Sequence, residues 1–183
     1  MILVKIFYLL PDHISSLFSI VYSITRNDKV TNYEKEIFLE VSIFPHTDLQ
    51  KQLDYLQSPK DSNDEDKPIY ELTTIPRLLF ISISRTEYNA DQQGESHKSI
   101  TTPKHLIIQS QTYRIFTIIM KRFNSLSRKY FCLIDFTPEA DTPTWYSFRD
   151  EESKFIVDES EVFDTSKMAG ICGVTFVGYI KIQ

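Results

Sequence analysis

The sequence predicts a β-rich α+β fold built mostly of antiparallel strands. Three observations lead there. The chain of 183 residues carries 10 Tyr and 13 Phe but only 4 Gly; aromatic side chains suit a pleated, half-buried surface, and few glycines leave little for long flexible loops. Hydrophobic residues make up 42% of the chain, enough for a sizeable core in one domain of this length. The apolar residues also fall in short runs separated by polar, turn-forming stretches.

The elements follow in order. Residues 1–10 read as a strand or a buried helical turn, and Pro11, Asp12 and His13 as a turn or helix start. β-Branched and aromatic residues favour a strand from Phe18 to Thr25, closed by the turn signal Arg26-Asn27-Asp28-Lys29. From Glu36 to Phe44 the pattern alternates, with Ile37, Leu39, Val41 and Ile43 on one face. Thr47 and Asp48 cap a short helix from Leu49 to Leu56, with Leu49, Leu53 and Leu56 on one side. Ser58 to Pro68 is a polar, acidic loop, and Glu87 to Thr102 a second polar loop, on either side of a strand from Leu78 to Ser84. Leu106 to Ile108 is a short apolar run. Tyr113–Met120 and Tyr130–Phe136 are the strongest strands. After a turn over 139–144 come strands at Trp145–Phe148 and Phe155–Val157, a helical turn over Ser160–Phe163, and a last strand from Cys172 to Ile182. Asp150, Glu151 and Glu152 read as a solvated turn. No repeat is visible, and the whole reads as a single folded unit spanning 1–183.

Composition narrows the function. Net charge is −5 and no basic block exceeds two residues (Lys121-Arg122, Arg128-Lys129), so the electrostatic footprint of nucleic-acid binding is missing. Cys132 and Cys172 both sit in apolar runs without a Cys-x-x-Cys partner, which reads as buried free thiols and no zinc site, in a cytoplasmic or nuclear protein. The apolar stretch of residues 1–10 is broken by Lys5, stopped by Pro11 and followed by no small-residue cleavage site, unlike a secretory signal. No run is long and apolar enough to span a membrane. His13, His46, His97 and His105 read as loop, capping or surface residues.

Several segments, in order, resemble the ubiquitin-specific protease family. Ile75-Pro76-Arg77-Leu78-Leu79-Phe80-Ile81-Ser82-Ile83-Ser84-Arg85 is similar to that family's Leu-Pro-x-x-Leu-x-x-x-Leu-x-Arg-Phe strand, with Thr86 in the final position. Tyr113-Arg114-Ile115-Phe116-Thr117-Ile118-Ile119 is similar to its Tyr-x-Leu-x-Ala-Val-Ile strand, and Lys121 and Phe123 stand where a His-x-Gly follows. Lys129-Tyr130 replaces a His-Tyr. Trp145-Tyr146-Ser147-Phe148 is close to a Trp-Tyr-x-Phe-Asp-Asp, with Arg149 in place of the first Asp and Asp150 matching the second. Ile156-Val157 and Glu161-Val162-Phe163 resemble the pieces that follow. Upstream the match is weaker: Leu17-Phe18 resembles a Leu-Phe-x-Gly that enters the fingers, Glu36–Ile43 the strand leaving the first finger, and Leu49–Tyr55 the helix that follows it.

The resemblance implies a mostly antiparallel palm like the C-terminal part of such a protease, with the thumb largely missing. It implies finger-like strands over 1–45 and a palm-like sheet over 46–183, interrupted by polar loops at about 58–68 and 87–102. It also implies lost chemistry. The family's mechanism needs a Cys thiolate, a His that takes its proton, and an Asp or Asn that holds the His tautomer. Here Lys129 stands for the His and Arg149 for the Asp, and the Gly-Asn-Thr-Cys box that carries the nucleophile does not appear. A lysine stays charged near neutral pH unless buried, and an arginine accepts no hydrogen bond. Two cations there oppose the Arg-rich tail that the family's cleft receives. A like-charge pair about 4 Å apart at an effective dielectric of about 20 costs on the order of 4 kcal/mol, less with solvent access.

The expectation is therefore a catalytically inactive protease-like domain that binds protein: ubiquitin, or subunits of a larger complex. Candidate contacts are Tyr130, Trp145, Tyr146 and Asp150, on an apolar palm face for a partner to cover, with no cofactor and no metal. The alternatives are a thiol-dependent deubiquitinase whose remaining parts lie elsewhere, and an unrelated β-rich interaction domain.

Overall fold

The computed structural model describes residues 12–27, 29–42, 44–59, 67–89, 92–95, 100–122, 130–149, 152–157, 159–163 and 172–182. A four-residue helix, α1 (Asp12–Ser15), leads into β1 (Ile20–Arg26), β2 (Lys29–Glu36) and β3 (Phe38–Ser42). Helix α2 (Leu49–Gln57) is followed by β4 (Ile69–Thr74), β5 (Leu78–Ser84), β6 (Thr86–Asn89), β7 (Gln92–Glu95), β8 (His105–Ile108), β9 (Gln111–Arg122), β10 (Tyr130–Asp135), β11 (Trp145–Arg149) and β12 (Glu152–Val157). Helix α3 (Glu159–Phe163) and β13 (Cys172–Lys181) complete the chain.

The strands form an eight-stranded sheet ordered β12-β11-β10-β9-β13-β5-β3, with β8 also on β9, a three-stranded sheet ordered β2-β1-β4, and the hairpin β6-β7. All pairings are antiparallel except β3 with β5. The expected fold class is the observed one. Two strands, β2 and β4, escape the sequence reading: β2 (Lys-Val-Thr-Asn-Tyr-Glu-Lys-Glu) carries four charged residues, and both lie at the edges of a small sheet, where a buried face is narrow. The polar stretch expected as a loop over 87–102 contains most of the hairpin β6-β7. Residue 45 is not where the sheets divide. The small sheet takes β4 from beyond it, while β3, before it, pairs with β5 in the large sheet.

Alternation sets which face is core. On β5 the buried residues are Leu79, Ile81 and Ile83, and on β3 Leu39 and Val41, as expected for strands with one covered face. Strand β9 breaks the rule in an informative way. Tyr113 and Ile115 are buried, and then Ile118 and Met120, so the parity flips between them. The cause is a β-bulge: Tyr179 pairs with Ile115 and Gly178 with Thr117, leaving Phe116 as the extra residue. A second bulge on β13 leaves Thr175 unpaired between Val174 and Phe176, and its hydroxyl donates to the Ile119 carbonyl at 3.2 Å. The two insertions, one per strand, cancel. Register is kept while the buried set shifts from Tyr179 and Ile115 to Val174 and Met120.

Helix α2 packs as its pattern predicts, burying Leu49, Leu53 and Leu56, each worth roughly 1.5–3 kcal/mol relative to exposure. Asp48 caps it, Oδ1 accepting from the Lys51 amide at 2.9 Å. Gln52, fully buried, donates from Nε2 to the Phe44 carbonyl (2.6 Å) and accepts the His46 amide at Oε1 (3.0 Å), so both ends of its amide are satisfied. Lys67, also buried, donates to the Ser58 and Pro59 carbonyls and the Ser58 hydroxyl, and sits 4.3 Å above the Tyr55 ring.

Side chains finish several strand edges. The Gln50 amide donates to the Ile107 carbonyl (2.9 Å) and accepts the Ile107 N–H (2.7 Å), standing in for a neighbouring strand against β8. Gln109 donates to the Leu72 carbonyl of β4 at 2.6 Å, and the Tyr70 hydroxyl to the Glu40 carbonyl of β3 at 3.2 Å.

Gly178 sits on the non-core face, where an added Cβ would lie 2.5 Å from Thr117 Cγ2, 2.9 Å from Phe80 Cε1 and 3.0 Å from Phe116 Cζ. Thr117 is a stiff, β-branched neighbour on a central strand. Gly178→Ala is expected to destabilise by about 1–3 kcal/mol in urea unfolding.

Four tyrosines resist ionisation. Burial pushes the phenol of Tyr70 up to about 12, helped by the charge of Glu40, and that of Tyr113 up to about 12 through burial alone. Burial likewise raises Tyr22, stacked between Tyr33 (4.7 Å) and Tyr70 (6.1 Å), and Tyr179. Unfolded tyrosines lose their proton near 10.0, so above that pH the stability of the folded chain begins to fall. Stability is expected to be intact below about pH 10 and to fall as pH rises through about 12. An absorbance titration at 295 nm (~) should show these phenols ionising late, together with unfolding.

Candidate functional site

The position expected for lost chemistry lies at one end of the strand trio β9-β10-β11. Tyr130 opens β10 opposite Lys121 of β9, and Phe131 pairs with both Met120 and Arg149. Arg149, the last residue of β11, is therefore across one strand spacing from a residue two positions after Lys129. The pairing sets Arg149 opposite Phe131 at this end of the two strands. Lys129 and Asp150 themselves lie outside the described residues. Tyr130 is 42% exposed and open to a partner at this end.

The other expected contacts divide by parity. Tyr146 pairs with Ile134 and Phe148 with Cys132, on the face away from the core. Trp145 pairs with Asp135 on the opposite face, is 2% exposed, and meets the Phe163 ring edge-on at 5.9 Å. Trp145 is a core residue and not a contact surface, a correction to the sequence reading. A Trp-Tyr-x-Phe strand presents only every second side chain to solvent.

At the far end of the trio stands a feature the sequence reading missed. Strand β9 carries β8 along one stretch of its edge and β10 along the next, and Arg114 sits at the junction. Its Nη1 donates to the Ala140 carbonyl at 2.6 Å, while Nη2 faces Asp135 Oδ2 at 3.7 Å. The Asp135 side chain has no solvent exposure, and its Oδ1 accepts from the Thr137 amide (2.9 Å), the Thr137 hydroxyl (3.1 Å) and the Thr144 amide (2.9 Å). A buried carboxylate so bonded fixes the 136–144 turn. The available signal was an Asp closing an otherwise apolar strand, Tyr-Phe-Cys-Leu-Ile-Asp.

Neither cysteine is set up as a nucleophile. Cys172 is buried. Cys132 is half-buried, with its Sγ 3.4 Å from the Thr117 hydroxyl; burial raises the thiol above its ordinary range, and the Thr117 hydrogen bond offsets this in part. His105 pairs with Arg114, five residues along β9 from Ile119, the partner of Cys132. That is about 17 Å at the usual rise of a strand, too far for proton transfer. His46 packs against Tyr55 at 5.2 Å beside α2. Among the described residues no three His, Cys, Asp or Glu side chains are placed to hold a metal ion, and no helix is long and apolar enough to cross a membrane.

A large, mostly antiparallel sheet, a small three-stranded sheet and a short helix match the fold of the ubiquitin-protease module Ubp8 in solved structures. The chain shares that fold with the yeast SAGA DUB module carrying a mutant Sgf73, at a TM-score of 0.69 and 14% identity over 92% of this chain and 39% of that one. It is similar to a SAGA DUB module of Ubp8, Sgf11, Sus1 and Sgf73 bound to monoubiquitin, at a TM-score of 0.67 and 15% identity over 92% and 41% of the two chains. Another module of the same four proteins aligns over 99% of this chain and 43% of its own, with a TM-score of 0.68 and 15% identity. The chain thus spans about two fifths of the length of these neighbours. No protein-family profile matches the sequence, and no curated protein matches it.

The state of Cys132 gives a direct test. Near neutral pH its alkylation by iodoacetamide is expected to be slower than that of a free cysteine peptide, because only the thiolate reacts. Thr117→Val, which removes the bond that favours the thiolate, should slow it further; a faster reaction in the variant would contradict this reading of the thiol.

Proposed function

We propose that this chain is a catalytically inactive ubiquitin-protease-like module that acts by binding protein. The observation that carries the reading is the pairing of β10 with β11. That pairing sets Phe131 opposite Arg149, where the resemblance expects the Asp that orients a His, and Lys129, which the resemblance sets at the His, lies two positions before Phe131 in sequence. The fold shared with chains of SAGA DUB modules over 92% of this chain supports a ubiquitin-protease-like reading. Those neighbours occur with Sgf11, Sus1 and Sgf73, and one is bound to monoubiquitin. By analogy the partners proposed here are subunits of a larger cytoplasmic or nuclear complex, or the globular body of ubiquitin. Tyr130 and Tyr146 are the contacts available among the described residues, with Asp150 beside them in sequence. The proposed organisation is one unit, with finger-like strands in its first 45 residues and a palm-like sheet beyond, except that β4 joins the former and β3 the latter.

A second reading is an active deubiquitinase completed by another segment, favoured by the two-fifths span of the neighbours. It faces the chemistry of positions 129 and 149: a charged lysine is no base near neutral pH, and Arg149 cannot orient a histidine.

A titration of isotope-labelled ubiquitin with the folded chain tests the proposal. Saturable shifts on ubiquitin's body with an unmoved C-terminal tail are expected, since Lys129 and Arg149 oppose a basic tail. Tail shifts would overturn the charge argument, and absence of shifts would turn the search to complex subunits. The double variant Lys129→His with Arg149→Asp is expected to show no hydrolysis of a fluorogenic ubiquitin substrate. Turnover by that variant would establish a nucleophile within the chain and favour the second reading.

A further inference from the structure

We propose that the 136–144 turn is a docking surface for a protein segment that presents an apolar side chain flanked by Lys or Arg. Phe136 is 59% exposed, yet it is not loose. Its ring meets Tyr146 edge-on at 5.2 Å and Phe148 at 6.1 Å, so three aromatic side chains form one ridge on the non-core face. The backbone beneath is stapled by the three hydrogen bonds to Asp135 Oδ1, by Arg114 to the Ala140 carbonyl, and by the Ala140 amide to the Thr137 carbonyl at 2.9 Å. An aromatic anchor on a pre-ordered turn loses little entropy when a partner covers it.

Charge selects the occupant. From Phe131 to Phe148 the sequence has no Lys or Arg, whereas Glu139 and Asp141 rise from the turn itself. Glu139 is ion-paired with the exposed Arg77 at 2.6 Å, and Asp141 is exposed. An apolar ridge with an acidic rim favours a basic-flanked apolar segment and disfavours an acidic one. Phe136 lies five residues along β10 from the Phe131–Arg149 pair, about 17 Å away, and the ridge runs from it back to Phe148, next to Arg149, sharing Tyr146 with the contacts proposed above. The inference adds to the protein-binding reading above and rests on it only in taking the occupant to be a protein.

The test uses the whole chain and three sets of synthetic peptides sharing a central Phe or Leu, flanked by Lys/Arg, by Asp/Glu or by Ser/Gly. The basic-flanked set is expected to give saturable NMR shifts at Phe136, Tyr146 and Phe148 that weaken as salt is added, with the acidic-flanked set giving none. Phe136→Ala should weaken that binding at least about tenfold, while Phe136→Leu retains most of it. Asp141→Lys, at an exposed site, should reduce affinity for the basic set. Equal binding by all three sets, shifts confined to the Tyr130 end, binding unchanged in Phe136→Ala, or no binding would overturn the proposal. So would shifts of the same ridge with protein concentration alone, which would make a second copy of this chain the occupant. A negative ubiquitin titration leaves this outcome untouched, so the two readings fail separately.

Discussion

The pairing of β9 with β13 is the constraint on which the rest of the large sheet depends. β13 carries β5 and through it β3, while β9 carries β10, β11 and β12 on its other edge, and β8 beside them. Both strands run longer than any neighbour and twist through two bulges, Phe116 on one and Thr175 on the other. Because the extra residues sit on opposite strands, pairing continues across both, and each half of the sheet keeps its apolar side toward the core. The Phe116 bulge also falls where β9 exchanges β8 for β10. The gap that the exchange opens is closed by Arg114 and Asp135, a buried pair that binds the turn beyond β10 to the centre of the sheet. Breaking either partner leaves a buried charge, which is why such pairs tend to organise structure more than they stabilise it.

Much of this was legible in the residues. The β5 alternation and the capped α2 with its Leu49-Leu53-Leu56 stripe were readable because each has one buried face and a regular period, and β9 and β10 because their runs are apolar and rich in β-branched and aromatic residues. Strands β2 and β4 were not, because an edge strand of a small sheet has only a few inward residues, such as Tyr33 and Leu72, among charged ones. The β6-β7 hairpin was hidden for a related reason: its polar residues pair through backbone groups that sequence patterns do not display.

The candidate site was legible as a set of positions, not as a surface. Motif order located 129, 130, 145, 146 and 149 along the chain, and the pairing of β10 with β11 places those among the described residues in space. Which side chains face outward depends on parity relative to the core, and that sends Trp145 inward and Tyr146 and Phe148 outward. The roles of Arg114, Asp135 and Phe136 depend on contacts across the 136–144 turn and between strands, Arg114 with Ala140 26 residues on and Asp135 with Thr144 nine residues on, which no local pattern encodes.

The side chains that finish the sheet edges have a consequence during synthesis. The carbonyl and N–H of Ile107 are answered by Gln50, which lies 57 residues earlier on α2, and the Leu72 carbonyl by Gln109, 37 residues later. Ile107 is itself 57% exposed. Until α2 docks and the β8-β9 turn closes, β4 and β8 present bare hydrogen-bonding groups beside apolar side chains, the pattern that recruits strands from other chains. The chain is therefore most open to pairing with other chains in the interval between the synthesis of β8 and the seating of Gln50 against it.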